Sequence, residues 1–215
     1  MSRLLHSALF FLLIVTAAAT DDAGWSVISQ RDSLTIFGRT RKDSTVKELR
    51  AVGIFDVPTS VAMRVIQDAE HYTEFMPYVV ECRVLARDAN SHVSYQRLAP
   101  PLVSERDYTV RVHDVISAGT GGAVYRCEWK TANDLGPAER PGTVRVKLSE
   151  GSWLLEPAGQ GRSTRATYQI FTDCGGSIPA FIANRANTTA IPRLFDALRK
   201  QAHEQKYWKG ESDKQ

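Results

Sequence analysis

The stretch that decides the fold is Tyr168–Ala202, YQIFTDCGGSIPAFIANRANTTAIPRLFDALRKQA. It passes from a strand-like run through a Gly175-Gly176 pair into a long segment opened by Pro179. In that segment Ile182, Ala186, Ala190, Leu194, Ala197 and Leu198 recur at three- and four-residue steps, which predicts an amphipathic C-terminal helix. Glycine tolerates positive φ and proline presets a first helical turn, so the pair followed by Pro179 reads as a sharp strand-to-helix turn. Pro192 lies inside the helical pattern and is expected to kink or split it. The tail from Lys206 is polar and reads as frayed.

Working back from that helix, the chain is mostly strand-like. Val79–Leu85, His92–Leu98, Asp107–Val115, Ala123–Lys130, Thr143–Leu155 and Thr164–Phe171 are separated by turn signals at Asp88-Ala89-Asn90, Ala99-Pro100-Pro101, Gly119–Gly122, Gly136-Pro137 and Gly159–Gly161. Regular spacing of this kind predicts a curved antiparallel meander. Before it, Trp25–Val57 reads as opening strands. Val61, Ala62, Val65 and Ile66 after Pro58 predict a helix to about Asp68, with Asp56 or Thr59 as its cap. The expected fold class is α+β, a sheet that buries one face against the terminal helix.

The first residues read differently. Arg3 gives a positive start, Ala8–Val15 a short apolar run and Ala17-Ala18-Ala19 a small-residue cleavage site, the pattern of a secretory signal spanning residues 1–19. The run is shorter than the roughly 20 residues of a spanning helix. The expectation is an exported protein, periplasmic or secreted, with a single domain over residues 20–215.

Composition narrows the function. The chain has 215 residues, 43% hydrophobic and 24% charged, with 27 Lys and Arg against 24 Asp and Glu for a net charge of +3. The basic residues are scattered, which argues against nucleic acid as a partner. Cys82, Cys127 and Cys174 form no clustered pair, and three thiols close at most one disulfide, so at least one is expected to be a buried small hydrophobe. The five histidines show no HxH or HExxH spacing, so neither metal nor cofactor is expected. No GxSxG, phosphate-cradling glycine loop or acidic pair at suggestive spacing is present, which argues against catalysis.

Gly142–Pro157 (GTVRVKLSEGSWLLEP), Tyr168–Pro179 (YQIFTDCGGSIP), the helix Ala180–Ala202 and Ser104–Val110 (SERDYTV) together resemble the steroidogenic-acute-regulatory-related lipid transfer (START) domain family. The resemblance runs from about Trp25 to His203, and the Gly-Gly-x-Ile-Pro turn is its most specific piece. The final segments look most similar to the phosphatidylcholine-transfer branch. The resemblance implies a helix-grip fold: a bent antiparallel sheet around the C-terminal helix, with an internal hydrophobic tunnel for one lipid. It also implies lipid carriage between membranes without chemistry, by a monomer. A lipid-sensing interaction module is the alternative, and a cyclase or hydrolase of the wider superfamily a further one. Membrane contact is expected to be transient, through the terminal helix or the loops around Trp25, Phe75 and Trp208.

Alternation along the strands then nominates the cavity wall. Tyr95 and Arg97 share one face of their strand, Tyr108, Val110 and Val112 one face of the next, and Cys127 and Trp129 one face of a third. All of these are assigned inward. Tyr168 and Ile170 continue the surface, with Ile182, Ala186, Ala190 and Leu194 facing them from the helix. An inward Arg97 needs a carboxylate or an anionic ligand group such as phosphate. Several members of the family that the chain resembles pair a buried acidic residue on this strand with an Arg on the neighbouring one, where Arg97 and Val112 stand here, and that departure from the resemblance favours a phospholipid or fatty acid over a sterol. Arg106 and Asp107 read as a structural pair at a strand start.

Overall fold

The computed structural model describes residues 24–42, 44–176, 178 and 180–209, without the side chains of 180–187. The signal segment expected at residues 1–19 therefore lies outside the described residues. The strands are β1 (Ser26–Arg31), β2 (Leu34–Thr40), β3 (Lys47–Phe55), β4 (Val79–Arg87), β5 (Ser91–Leu98), β6 (Arg106–Gly119), β7 (Gly122–Thr131), β8 (Val144–Arg145), β9 (Leu148–Ala158) and β10 (Ser163–Asp173). Helix α1 covers Thr59–Gln67, the single turn α2 Tyr72–Phe75, and α3 Ala180–Gln201.

All ten strands join one sheet in the order β1-β2-β3-β10-β9-β7-β6-β5-β4, with β8 beside β6. Apart from the parallel β6–β8 pair, every pairing is antiparallel. The last strand in sequence, β10, inserts between β3 and β9 at the centre, so the chain enters α3 from the middle of the sheet. That placement lets α3 lie across the sheet's face. Gly175 and Gly176 make the turn with φ of +65° and +73°, the left-handed region that favours glycine.

One face of the sheet is the core. Leu34, Ile36, Leu49, Ala51, Phe55, Trp153, Leu155 and Ala166 pack with Val61, Val65 and Ile66 of α1 and with Ile191, Phe195 and Leu198 of α3. Phe55, Trp153 and Phe195 meet as an aromatic triangle with ring centroids 5.4–6.4 Å apart, a spacing in the favourable range for tilted pairs. This triangle ties α3 to the sheet. Helix α3 continues through Pro192 as one element rather than two.

Three local expectations change. Neither Asp56 nor Thr59 caps α1: Pro58 stands at the N-cap, its carbonyl accepting from Val61 and Ala62, while Thr59 Oγ1 donates to the Ala123 carbonyl. The expected strand Thr143–Leu155 divides into β8 and β9. Strand β7 ends at Thr131, opposite Val110, which leaves the start of β6 without a neighbour on that edge, and β8 fills it. The tail is docked through Trp208: Tyr207 is buried, donates its hydroxyl to Asp68 at 2.6 Å, and accepts at its carbonyl from Arg64.

Candidate ligand-binding cavity

Between the concave sheet face and its helical cover lies a cavity of about 110 Å³. Its apolar wall is made by Val110 and Val112 of β6, Cys127 and Trp129 of β7, Trp153 of β9, and Tyr168 and Ile170 of β10. Leu194 of α3 closes it from above, and Ile66, Gln67, Ala69, Tyr72 and Met76 close the end beneath α1 and α2. Strand register explains this company. Trp129 stands opposite Val112 on one side and Gly151 on the other, and Trp153 opposite both Cys127 and Tyr168. Opposed residues in an antiparallel pair share a face, so these side chains converge. Trp129 stacks on Tyr168 at 5.8 Å and Trp153 meets Tyr168 at 4.5 Å.

The structure thus brings Tyr108, Val110, Val112, Cys127, Trp129, Tyr168, Ile170 and Leu194 to one cavity. Ala190 is not among its lining residues, and the side chains of Ile182 and Ala186 lie outside the described residues. The assignment of Tyr95 and Arg97 to this wall is corrected. Gln96 pairs with Tyr108, Ser94 with Val110 and His92 with Val112, so the even-numbered residues of β5 face inward and the odd-numbered ones outward. Arg97 binds Glu81 at 3.0 Å and Glu105 at 2.5 Å. Tyr95, fully buried on the outer face, donates to Asp107 at 3.1 Å.

Asp107 is itself held by Arg145 of β8 at 2.7 Å, with the two side chains 1% and 9% exposed. The strand-start role expected for Asp107 is therefore met with Arg145 as the partner, whereas Arg106 bonds the Ser104 carbonyl. Alternation assigns Tyr95 inward because it is large and aromatic, and the Asp107–Arg145 pair buries it on the opposite face. Alternation marks a buried face, and β5 is buried on both.

The residues missed are Trp153, the group Ile66, Gln67, Ala69, Tyr72 and Met76 beneath the helices, and the polar wall: His92, Ser94, Gln96, Asp114 and Ser149 all line the cavity. Tyr108 donates its hydroxyl to Gln96 Oε1 at 3.0 Å. Burial raises the pKa of the Tyr72, Tyr108 and Tyr168 phenols, which stay protonated. His92 is lowered by burial, against the pull of Asp114, which keeps its imidazole neutral at physiological pH. Cys127 is pushed up by burial and by the adjoining Asp114, so it remains a thiol and not a nucleophilic thiolate. All three cysteines are unpaired.

A second, wider cleft of about 510 Å³ lies at the rim, with Arg41, Val46, Leu148, Phe171, Cys174 and Ile178 among its lining residues. Its arginine is committed: Arg41 binds Glu48 at 2.9 Å and Glu150 at 2.5 Å. The interior cavity is the one that the fold builds around its central helix.

Comparison with known proteins agrees with this architecture. An uncharacterized protein of Pseudomonas aeruginosa strain PAO1 is 28% identical over 181 residues, covering 83% of this chain and 86% of its own. A STAR-related lipid transfer protein from Xanthomonas axonopodis superposes with a TM-score of 0.74 at 24% identity, covering 84% of this chain and 99% of that one. Human STARD10 gives 0.75 at 21%, covering 87% and 76%. An aromatase/cyclase from Streptomyces shares the fold more distantly, at 0.51 and 12%, covering 72% and 92%. The fold is that of the START helix-grip domains, and residues 55–199 match the family described as polyketide cyclase / dehydrase and lipid transport, to which this chain belongs.

Proposed function

We propose that the protein binds a single lipid between sheet and α3 and carries it between membranes without chemistry. The observation that carries this reading is the aromatic and aliphatic wall of Val110, Val112, Trp129, Trp153, Tyr168 and Ile170 directly beneath the terminal helix. About 110 Å³ is below the roughly 300–1,000 Å³ of ordinary ligand pockets, so loading is coupled to outward movement of α3 or its neighbouring loops. The signal-like segment supports export, with transient membrane contact during exchange. A lipid sensor uses the same cavity and differs in what reads the bound state. The expected phospholipid or fatty acid rested on an inward Arg97; with that side chain outside and paired, the head group has to be argued from the cavity itself.

The test is mass spectrometry of small molecules released from protein purified without detergent, beside Val110→Trp as a cavity-filled control. A stoichiometric lipid in the wild type that is lost in the variant supports the reading. Two empty proteins that also take up no lipid from vesicles overturn it.

A cyclase is the second reading, favoured by one observation: His92, Ser94, Gln96 and Asp114 form a polar wall that simple acyl-chain packing does not need. Catalysis would show as a changed product rather than a retained ligand.

A further inference from the structure

Two polar atoms on the cavity's β5–β6 wall have no hydrogen-bond partner among the described residues: Ser94 Oγ and Asp114 Oδ1. Ser94 is 1% exposed. A buried polar atom left unpaired loses its hydration without recompense, so a cavity that keeps two of them is shaped for something that bonds them. Their neighbours are already committed or neutral. Gln96 accepts from Tyr108, His92 is held neutral by burial, and the Cys127 thiol opposite Asp114 gives that carboxylate only a weak hydrogen bond, which leaves its Oδ1 unserved.

No lysine or arginine lines the cavity among the described residues. A ligand carboxylate or phosphate would be buried beside Asp114 with no countercharge, a placement that desolvation and like-charge repulsion both oppose. A hydroxyl meets the need without adding charge, because it donates to a carboxylate and accepts from a serine. Ser94 stands opposite Val110 and Asp114 four residues farther along β6, about 13 Å at strand rise, so one hydroxyl serves Asp114 and a second ligand oxygen serves Ser94.

We propose that the cavity selects a neutral lipid bearing a hydroxyl group, bonded by Asp114 with Ser94 as a second polar contact, and excludes lipids ending in a free carboxylate or phosphate. The proposal rests on the lipid-binding reading above and narrows it.

The experiment titrates the mature chain with oleyl alcohol, oleic acid, oleyl phosphate and oleylamine delivered from cyclodextrin, following the fluorescence of Trp129 and Trp153 in the cavity wall. One chain with four head groups isolates the polar contact. The alcohol is expected to bind at least tenfold more tightly than the acid or the phosphate. Asp114→Asn should bring acid and alcohol within about threefold, and Ser94→Ala should weaken monooleoylglycerol, which carries further oxygens, several-fold while leaving the single-oxygen alcohol unchanged, both with unchanged thermal midpoints. Monooleoylglycerol and a sterol, run as further arms, tell which hydroxylic source fits.

Equal binding of acid and alcohol would overturn the proposal while leaving lipid binding intact. Tightest binding of the amine would replace a neutral head group with a cationic one. Alcohol binding indifferent to Asp114→Asn, together with monooleoylglycerol binding indifferent to Ser94→Ala, would mean that water serves the two atoms and would overturn the proposal. Failure of every ligand would remove the lipid-binding reading as well. Should Asp114→Asn not fold, the wild-type ranking and Ser94→Ala still decide.

Discussion

Gln96 and Tyr108 stand opposite each other on β5 and β6, joined by the Tyr108 hydroxyl at 3.0 Å from Gln96 Oε1. This one pair fixes the parity of β5, turning His92, Ser94 and Gln96 into the cavity and Val93, Tyr95 and Arg97 away from it. The chemistry of the wall follows from it: polar and uncharged on β5, with one carboxylate at Asp114.

Arg97→Leu is therefore expected to leave lipid loading unchanged. Its contacts with Glu81 and Glu105 are partly exposed, with the Arg97 side chain 22% accessible, so the loss of stability should stay within about 1 kcal/mol. Retained lipid and the urea midpoint measure the two. A selective loss of phospholipid binding would return Arg97 to the cavity.

The opposite holds for Arg145. Asp107 accepts from Arg145 Nε at 2.7 Å, from its Nη2 at 3.1 Å and from the Tyr95 hydroxyl at 3.1 Å, all beneath β8. Arg145→Leu strands a buried carboxylate and should cost about 3–5 kcal/mol in urea unfolding. Tyr95→Phe removes one neutral donor and should cost about 1 kcal/mol. Similar small losses in both would mean that Asp107 is solvated.

The architecture was legible because its signals are strong and local. The Gly175-Gly176 turn, the helical spacing from Ile182 to Leu198 and the strand punctuation each carry their own physics, and the structure holds all three. The site was half legible. Tyr108, Val110 and Val112 are apolar or aromatic on one parity, so alternation found them. On β5 the apolar residues Val93 and Tyr95 are buried too, on the other face, where Tyr95 bonds Asp107 and the Arg83 guanidinium lies over its ring. Alternation cannot say which of two buried faces holds the cavity; only the register with β6 does. Asp114 was hidden for a related reason, since a lone carboxylate late in a strand reads as solvent-facing until the strand is known to run on to Gly119.

Glu48 of β3 sets an acid limit in the other half of the sheet. Burial works to raise its pKa, but hydrogen bonds from Arg41, Arg39 and Gln169 win and hold it at about 2, against an ordinary 4.5. A carboxylate depressed in the folded state stabilises above its unfolded pKa and loses that contribution as pH falls through the folded one. Stability should therefore fall from about pH 4.5 to about 2, and Glu48→Gln should flatten that slope in urea midpoints. Asp68, also lowered through its bonds from Tyr207, His71 and Lys206, should leave a residual slope in the variant. An unchanged slope would assign the acid transition elsewhere.

Gly151 is where the cavity wall depends on a missing side chain. A Cβ there would collide with the Trp129 ring and the Gln169 carbonyl. Gly151→Ala should cost about 1–3 kcal/mol by overpacking and displace Trp129 toward the cavity. Its readouts are a lower thermal midpoint together with reduced lipid uptake. Normal uptake at a lowered midpoint would show that Trp129 moves away from the ligand space.

On the proposed lipid-binding function, ligand entry needs a part of the cover to yield, and the contacts at Tyr78 single out one part to test. Arg193 of α3, next to the cavity residue Leu194, donates to the Tyr78 hydroxyl at 2.7 Å. The Tyr78 carbonyl in turn accepts from the Ala99 amide, at the start of the β5–β6 loop. Tyr78 holds a φ of +66°, a strained value for a non-glycine residue, so its conformation is maintained by its neighbours. One residue thus clasps both the terminal helix and a loop beside it. Tyr78→Phe removes the bond to Arg193 while keeping the ring, and the bond is solvent-exposed, so global stability should change by less than about 1 kcal/mol. The rate of lipid exchange between vesicles should rise several-fold at unchanged equilibrium affinity, because the clasp closes over bound and empty cavities alike. A change in affinity without a change in rate would mean that Tyr78 touches the ligand rather than the gate. An unchanged rate would place the opening at another part of the cover.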